Sequence, residues 1–187
     1  MNRAVTLFIF LYYTTMKSIT IITLLVLGFV SQSFQKTTVP ESFSAILQNN
    51  DSIPGLNKKV IEYVNTKINK KVATGECWDV AAEALKYAGA TWDGMYKFGR
   101  EVNFKKEPVL PGDIIQFENV VLNYQVGDRK YMEKMAHHTA IIYETKDNSN
   151  FTLAHQNNGY SGRKVGLSPL DISTVTKGKI KIYRPIN

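Results

Sequence analysis

The chain has one cysteine, Cys77, and three histidines, His137, His138 and His155. Cys77 lies in Thr74-Gly75-Glu76-Cys77-Trp78-Asp79-Val80-Ala81-Ala82, where a glycine turn gives way to helical spacing. A thiol at a helix start faces the positive end of the helix dipole and N–H groups without intrahelical partners. Both favour the thiolate, which is the nucleophilic form. A solitary Cys with His downstream has the makings of a nucleophile and its base. The chemistry this suggests is amide hydrolysis through a thioester, with imidazolium protonating the leaving amine. The blander reading is an inert thiol on the apolar face of its helix.

Alternate residues of a strand share a face, so His138 goes with Ala140 and Ile142, and His137 with Thr139 and Ile141. The small Ala140 is expected to leave room for the Cys77 helix, which makes His138 the candidate general base. A hairpin over 147–150 then returns the chain, setting His155 level with His138 or one position off. A third polar group there fixes the imidazole tautomer. His155 is the candidate, and Asn157, pointing the same way, is the alternative. The N–H of Cys77 and the side chain of Gln116 are candidate oxyanion donors. Adjacent His137 and His138 point to opposite faces and lack the paired spacing of zinc ligands, so neither metal nor cofactor is expected.

These groups need helices first and a sheet second. Residues 42–49 read as a short helix, and 54–72 as a longer one with Leu56, Val60, Val64 and Ile68 every fourth position. Residues 77–89 continue with alanines that allow close approach to a sheet, and Gly89 stops the helix. After the turn Leu110-Pro111-Gly112-Asp113, strands are expected over 114–117, 135–143, 151–156 and 179–183. That order defines an α+β domain, with N-terminal helices packed on an antiparallel sheet.

The N-terminus is apolar over 4–13 and 19–30, with Arg3 and Lys17 as its only charges. Lys17, an apolar core and small residues at Ser31 and Ser33 have the form of a secretory signal, starting from Met1 or Met16. The alternative is an uncleaved anchor over 4–30, long enough for a bilayer core of ~30 Å. The expected organisation is a signal at 1–33, a helical segment at 34–71 and a catalytic domain at 72–187. A domain this size folds without a disulfide. The formal net charge is +7. That suits an anionic envelope polymer, but no motif for nucleic acid accompanies it. Membrane contact is expected only through an uncleaved N-terminus, and the chain is expected to be a monomer.

Gly75-Glu76-Cys77-Trp78, Pro111-Gly112-Asp113-Ile114-Ile115-Gln116-Phe117, His138-Thr139-Ala140-Ile141-Ile142 and His155-Gln156-Asn157 occur in that order. Together they resemble the NlpC/P60 and CHAP group of papain-like cysteine peptidases and amidases, over about residues 72–185. The resemblance implies a papain-like NlpC/P60-type fold. It also implies Cys77 as nucleophile, His138 as base and His155 as orienting residue, with Asn157 where some members have a further polar residue. Many members carry glycine before the catalytic histidine, where this chain has His137. Glu76-Cys77-Trp78-Asp79 is also similar to a branch of this fold that forms terminal domains of fungal actin-patch and plant proline-rich proteins. The expected protein is an exported, secreted or periplasmic cysteine hydrolase acting on peptidoglycan peptides or another amide-containing envelope substrate. The alternatives are an inactive envelope or partner-binding domain, and an acyl transferase or esterase whose cleft uses Trp92, Met95, Tyr96 and Phe98.

Overall fold

A computed structural model describes residues 53–187. The leader and the short helix expected at 42–49 lie outside the described residues. Helix α1 spans Gly55–Lys67 and buries Val60 and Val64, the fourfold repeat seen in the sequence. It stops short of residue 72 because Ile68 leaves helical geometry at ψ 132° and Asn69, at φ 62°, bonds through its N–H to the Val165 carbonyl. Helix α2 spans Cys77–Ala88 and ends on Gly89 at φ 74°, a left-handed cap that only glycine adopts without strain.

The strands are β1 Arg100–Glu101, β2 Ile114–Val126, β3 Arg129–Thr145, β4 Asn150–His155, β5 Gly166–Asp171 and β6 Val175–Arg184. A 3₁₀ turn over Ile172–Thr174 joins the last two. They form one sheet in the order β1-β6-β2-β3-β4-β5, every pair antiparallel. β2 and β3 are far longer than the expected strands, meeting at the two-residue turn Gly127-Asp128 with Gly127 at φ 58°. Within β2 a bulge at Asn119, φ 51°, resets the alternation, so Phe117 and Val120 enter the same core.

The sheet has a core on each face. On one, Val60 and Val64 of α1 and Val80, Ala81, Ala84 and Leu85 of α2 meet Ile114, Ile141, Ala154 and Tyr183. On the other, Ile115, Phe117, Ala140, Ile142, Leu153 and Ile182 pack together with Leu170. Helix α1 therefore shares its core with α2 and the sheet, and the division expected between residues 71 and 72 does not fall at a structural boundary.

Pro111-Gly112-Asp113 locks the frame at the start of β2. Gly112 sits at φ 85°, and a Cβ there would lie 2.5 Å from the Asn57 carbonyl oxygen. Asp113 is fully buried. Its carboxylate accepts from Arg184 Nη2 at 2.8 Å and Nε at 3.0 Å, and from Asn57 Nδ2 at 2.8 Å. One acid thus ties β2 to β6 and to α1.

Candidate active site

The loop into α2 is held by side chains on both sides of Cys77. Asp79 Oδ2 accepts from Thr74 Oγ1 at 2.6 Å and from the N–H groups of Gly75 and Glu76 at 2.9 and 3.0 Å. From the sheet, the buried Gln156 donates to the Val72 and Glu76 carbonyls at 3.0 and 2.8 Å and accepts from Val72 N at 3.1 Å. Gln156 alternates with His155, so it faces the helices while His155 faces away. That alternation was available in the sequence as a signal for its role.

Cys77 is half-buried. Burial raises its thiol above the usual value, opposed by hydrogen bonds from the backbone N–H groups of Thr139, Trp78 and Cys77 itself, while the Glu76 carboxylate raises it further. The helix start therefore does not prevail: desolvation wins, and the resting group is a thiol that needs a base. Glu76 is itself held by Arg163 Nη2 at 2.7 Å and by Asn157 Nδ2 at 2.7 Å. Asn157 stands past the end of β4 at φ 59°. It braces the loop before Cys77 and makes no bond to an imidazole, contrary to its expected place behind the base.

The histidines divide between the two faces of the sheet. Helix α2 packs on Ile141 and Ala154, whereas Ala140 lies in the opposite core. The face expected to receive the helix is thus the wrong one. His138 shares the Ala140 face, with its ring 6.1 Å from that of Phe117. His137 shares the helix face with Thr139, whose N–H reaches the sulfur. His137 is exposed, edge-on to Tyr96 with centroids 4.4 Å apart. The neighbouring Met95 carbonyl accepts from Trp78 Nε1 at 2.6 Å, tying this loop to the residue after Cys77.

Gln116 is also on the helix face, buried, and not free to serve as an oxyanion donor. Its Oε1 accepts from Thr139 Oγ1 at 2.7 Å, and its Nε2 lies 3.1 Å from His137 Nε2. So placed, the amide donates to Nε2 and the imidazole carries its proton on Nδ1. Turning the carboxamide over keeps both bonds, because the Thr139 hydroxyl accepts as well as donates. Oε1 then receives Nε2–H and leaves the Nδ1 lone pair free. Gln116 is thereby a tautomer-setting partner for His137.

On the far face, His138 Nε2 lies 2.7 Å from His155 Nδ1, and His155 Nε2 lies 2.7 Å from Ser168 Oγ. The β3–β4 ladder pairs Ile141 with Ala154, so His155 falls two positions beyond the level of His138 and reaches it diagonally. Burial pushes His138 down to about 4 and His155 down to about 3, so both rings are neutral at pH 7. The structure brings His138 and His155 together as expected for an oriented pair, but on the face that α2 does not cover. Of the expected cleft aromatics, Trp92 is stacked on the buried Phe98, while Met95 and Tyr96 are exposed.

Two helices on one face of an antiparallel sheet, with a cysteine opening the second helix against a histidine-bearing strand, describe a cysteine-proteinase-like domain. The chain belongs to the family described as the AIM3/BBC1 cysteine proteinase-fold domain, which it matches over residues 56–187. Of the NlpC/P60 and CHAP resemblance, the match supports the cysteine-proteinase fold and not that particular group. No curated protein matches the chain. Solved structures similar to the chain include two of one protein. One is described as Ly7917 with the hydrolyzing product of MDP: 18% identity, TM-score 0.43, covering 69% of this chain and 62% of that one. The other is Ly7917, at 17% identity and TM-score 0.40, covering 68% and 62%. This chain thus spans less than two thirds of the length of either.

Proposed function

We propose that the chain is a cysteine hydrolase of amide bonds in which Cys77 is the nucleophile and His137 is its acid–base partner, positioned by Gln116. The observation that carries this reading is the cluster on the helix face. The backbone N–H groups of Trp78 and Thr139 act on the sulfur to lower its pKa, and the side chain of Thr139 holds the Gln116 amide that meets His137. In the reacting arrangement, Nδ1 takes the thiol proton and the sulfur attacks the amide carbonyl. The imidazolium then protonates the leaving amine, and water hydrolyses the thioester. The N–H of Cys77 at the helix start serves as an oxyanion donor. The cationic surface and the signal-like leader favour an anionic envelope polymer, with peptidoglycan peptides as its amides. Peptide release from purified sacculi by wild type and by Cys77→Ala is the test. Release is expected from wild type alone, and equal release by both overturns the assignment.

A second reading is a binding domain that keeps the fold without turnover. It is favoured by the raised thiol and by the imidazole hydrogen bonds, which go to Gln116, His155 and Ser168. Iodoacetamide separates the two: fast alkylation of Cys77 near neutral pH supports the hydrolase, and none supports the binding domain.

A further inference from the structure

The far face of the sheet holds an arrangement that the cysteine chemistry does not use. Ser168 of β5, His155 of β4 and His138 of β3 form a diagonal row across three adjacent strands, joined by contacts of 2.7 Å and 2.7 Å. The connectivity is that of a hydroxyl-imidazole triad, atom for atom. The central ring turns Nε2 to the hydroxyl and Nδ1 to an acceptor that fixes its tautomer. In the tautomer that leaves His155 Nε2 to accept from Ser168, the acceptor is a neutral imidazole, His138 Nε2, in place of a carboxylate. All three side chains are buried, with exposures of 4%, 6% and 8% in that order, yet all three line one cavity of about 440 Å3. Leu122, Met135, Leu153 and Leu170 line it too, with Glu133, Lys134 and His137 among the polar lining, and Cys77 does not. Gly159 also lines it, and its N–H donates to no group among the described residues.

We propose that Ser168 is a second nucleophile of this protein, activated by His155 and independent of Cys77, acting on small uncharged acyl esters that enter this cavity. Cavities of this size take compact organic ligands. The apolar walls beside the uncharged Ser168-His155 pair suit the acyl chain of an ester, and the two charges that also line the cavity, Glu133 and Lys134, are of opposite sign. In the first step Ser168 Oγ bonds to the ester carbonyl carbon as its proton passes to His155 Nε2. The C–O bond to the alcohol then breaks, and the alcohol leaves with that proton. Water attacks the acyl-serine, giving one proton to Nε2, and the acid departs as Oγ regains its own. His138 is a positioning residue: it accepts Nδ1–H of His155 throughout and touches no substrate. Both rings rest uncharged above pH 5, because burial disfavours the imidazolium form.

The test uses p-nitrophenyl butyrate as substrate and a fluorophosphonate as a covalent probe, with adducts located by peptide mass mapping. In the Cys77→Ala background, which removes the sulfur nucleophile, ester hydrolysis is expected to persist with the adduct on Ser168, and the other variants are compared in that background. Ser168→Ala is expected to lose the adduct and at least about 100-fold of the rate. Ser168→Cys, which keeps a nucleophile at the same position, controls for folding and is expected to be alkylated there. The rate of Cys77→Ala is expected to stay flat from pH 5.5 to 8. Absence of an adduct on Ser168, or undiminished hydrolysis by folded Ser168→Ala, overturns the proposal. Ester hydrolysis lost in Cys77→Ala instead also overturns it, because the activity then belongs to the sulfur.

Discussion

His137 and His138 are neighbours in β3, yet they have opposite chemical circumstances. His137 lies exposed on the helix face, beside the sulfur's N–H donors, with one ring nitrogen engaged by Gln116. His138 is buried on the other face, in a chain with His155 and Ser168. A shift of one residue along a strand exchanges the two faces entirely. On the buried face desolvation keeps both rings neutral at rest, joined to each other and to Ser168. What the two faces teach is that residue type does not assign a histidine its role; the face it occupies does.

A change that damages both faces alike sets the scale. Asp113→Ala removes the buried partner of Arg184 and an acceptor for Asn57. Breaking a buried pair from one side costs about 3–5 kcal/mol. Urea unfolding is expected to show a loss of that size, with Cys77 reactivity and the His138–His155 pair lost together. A loss under about 1 kcal/mol would show that Asp113 does not hold the frame.

The faces are separated by the two histidines themselves. His137→Ala is expected to reduce turnover at Cys77 by about 100-fold or more, the usual contribution of a positioned acid–base group. His138→Gln, which keeps a donor and an acceptor, is expected to leave Cys77 alkylation by iodoacetamide within about threefold of wild type. The reverse pattern, with His138→Gln silent at wild-type stability and His137→Ala unaffected, would return the base to His138.

Acid separates the faces a second way. His138 and His155 have folded-state values depressed below the ordinary 6.5, to about 4 and about 3, by burial. The unfolded chain therefore binds more protons than the folded one below pH 6.5. Stability contributed by these neutral rings is complete above that point and is lost as pH falls towards 4, by up to ~1.4 kcal/mol per pH unit for each proton. The acids held low, Glu107 at about 2 through Arg100 and Glu118 through Lys181, lose their contribution only below the carboxylate range. Urea midpoints between pH 5 and 6.5 thus report the histidines. A fall is expected in wild type, and a flatter profile is expected in His138→Gln.

Much of this was legible in the sequence, and the failures have physical causes. The start of α2 at Cys77 and its end at Gly89 follow from a glycine turn, helical spacing and a left-handed stop. The face of β3 beneath it was misread because small Ala140 seemed to invite the helix. The helix supplies its own small residues, Ala81, Ala84 and Ala88, and so packs against the larger Ile141 and Ile114. The outer half of β2 was hidden by the bulge at Asn119, which breaks the alternation that marks a strand, and that of β3 by residues exposed on both faces, which show no apolar alternation. β5 was hidden by Pro169, which an edge strand tolerates and a central one does not. The placement of Gln156 on the helix face was available from its alternation with His155, but its partners Val72 and Glu76 lie 84 and 80 residues away, and Ser168 was hidden together with its strand.

The smallest effect tests the helix face alone. After burial, the Glu76 carboxylate is the remaining influence that raises the Cys77 thiol. Glu76→Gln removes the charge but keeps an oxygen for Arg163. The exposed Arg163–Glu76 ion pair, 2.7 Å with both side chains about half exposed, contributes at most ~1 kcal/mol, so the fold should tolerate the change. With the repelling charge gone, the thiolate becomes easier to form. The midpoint of the iodoacetamide pH–rate curve is expected to move down by a few tenths of a pH unit, about a twofold to threefold faster reaction at pH 7.5. The acid unfolding window of the far face should stay where it is. A shift beyond about one pH unit would mean that charge, and not desolvation, holds the proton on Cys77. No shift at all would mean that the solvent around Arg163 already screens Glu76 from the sulfur.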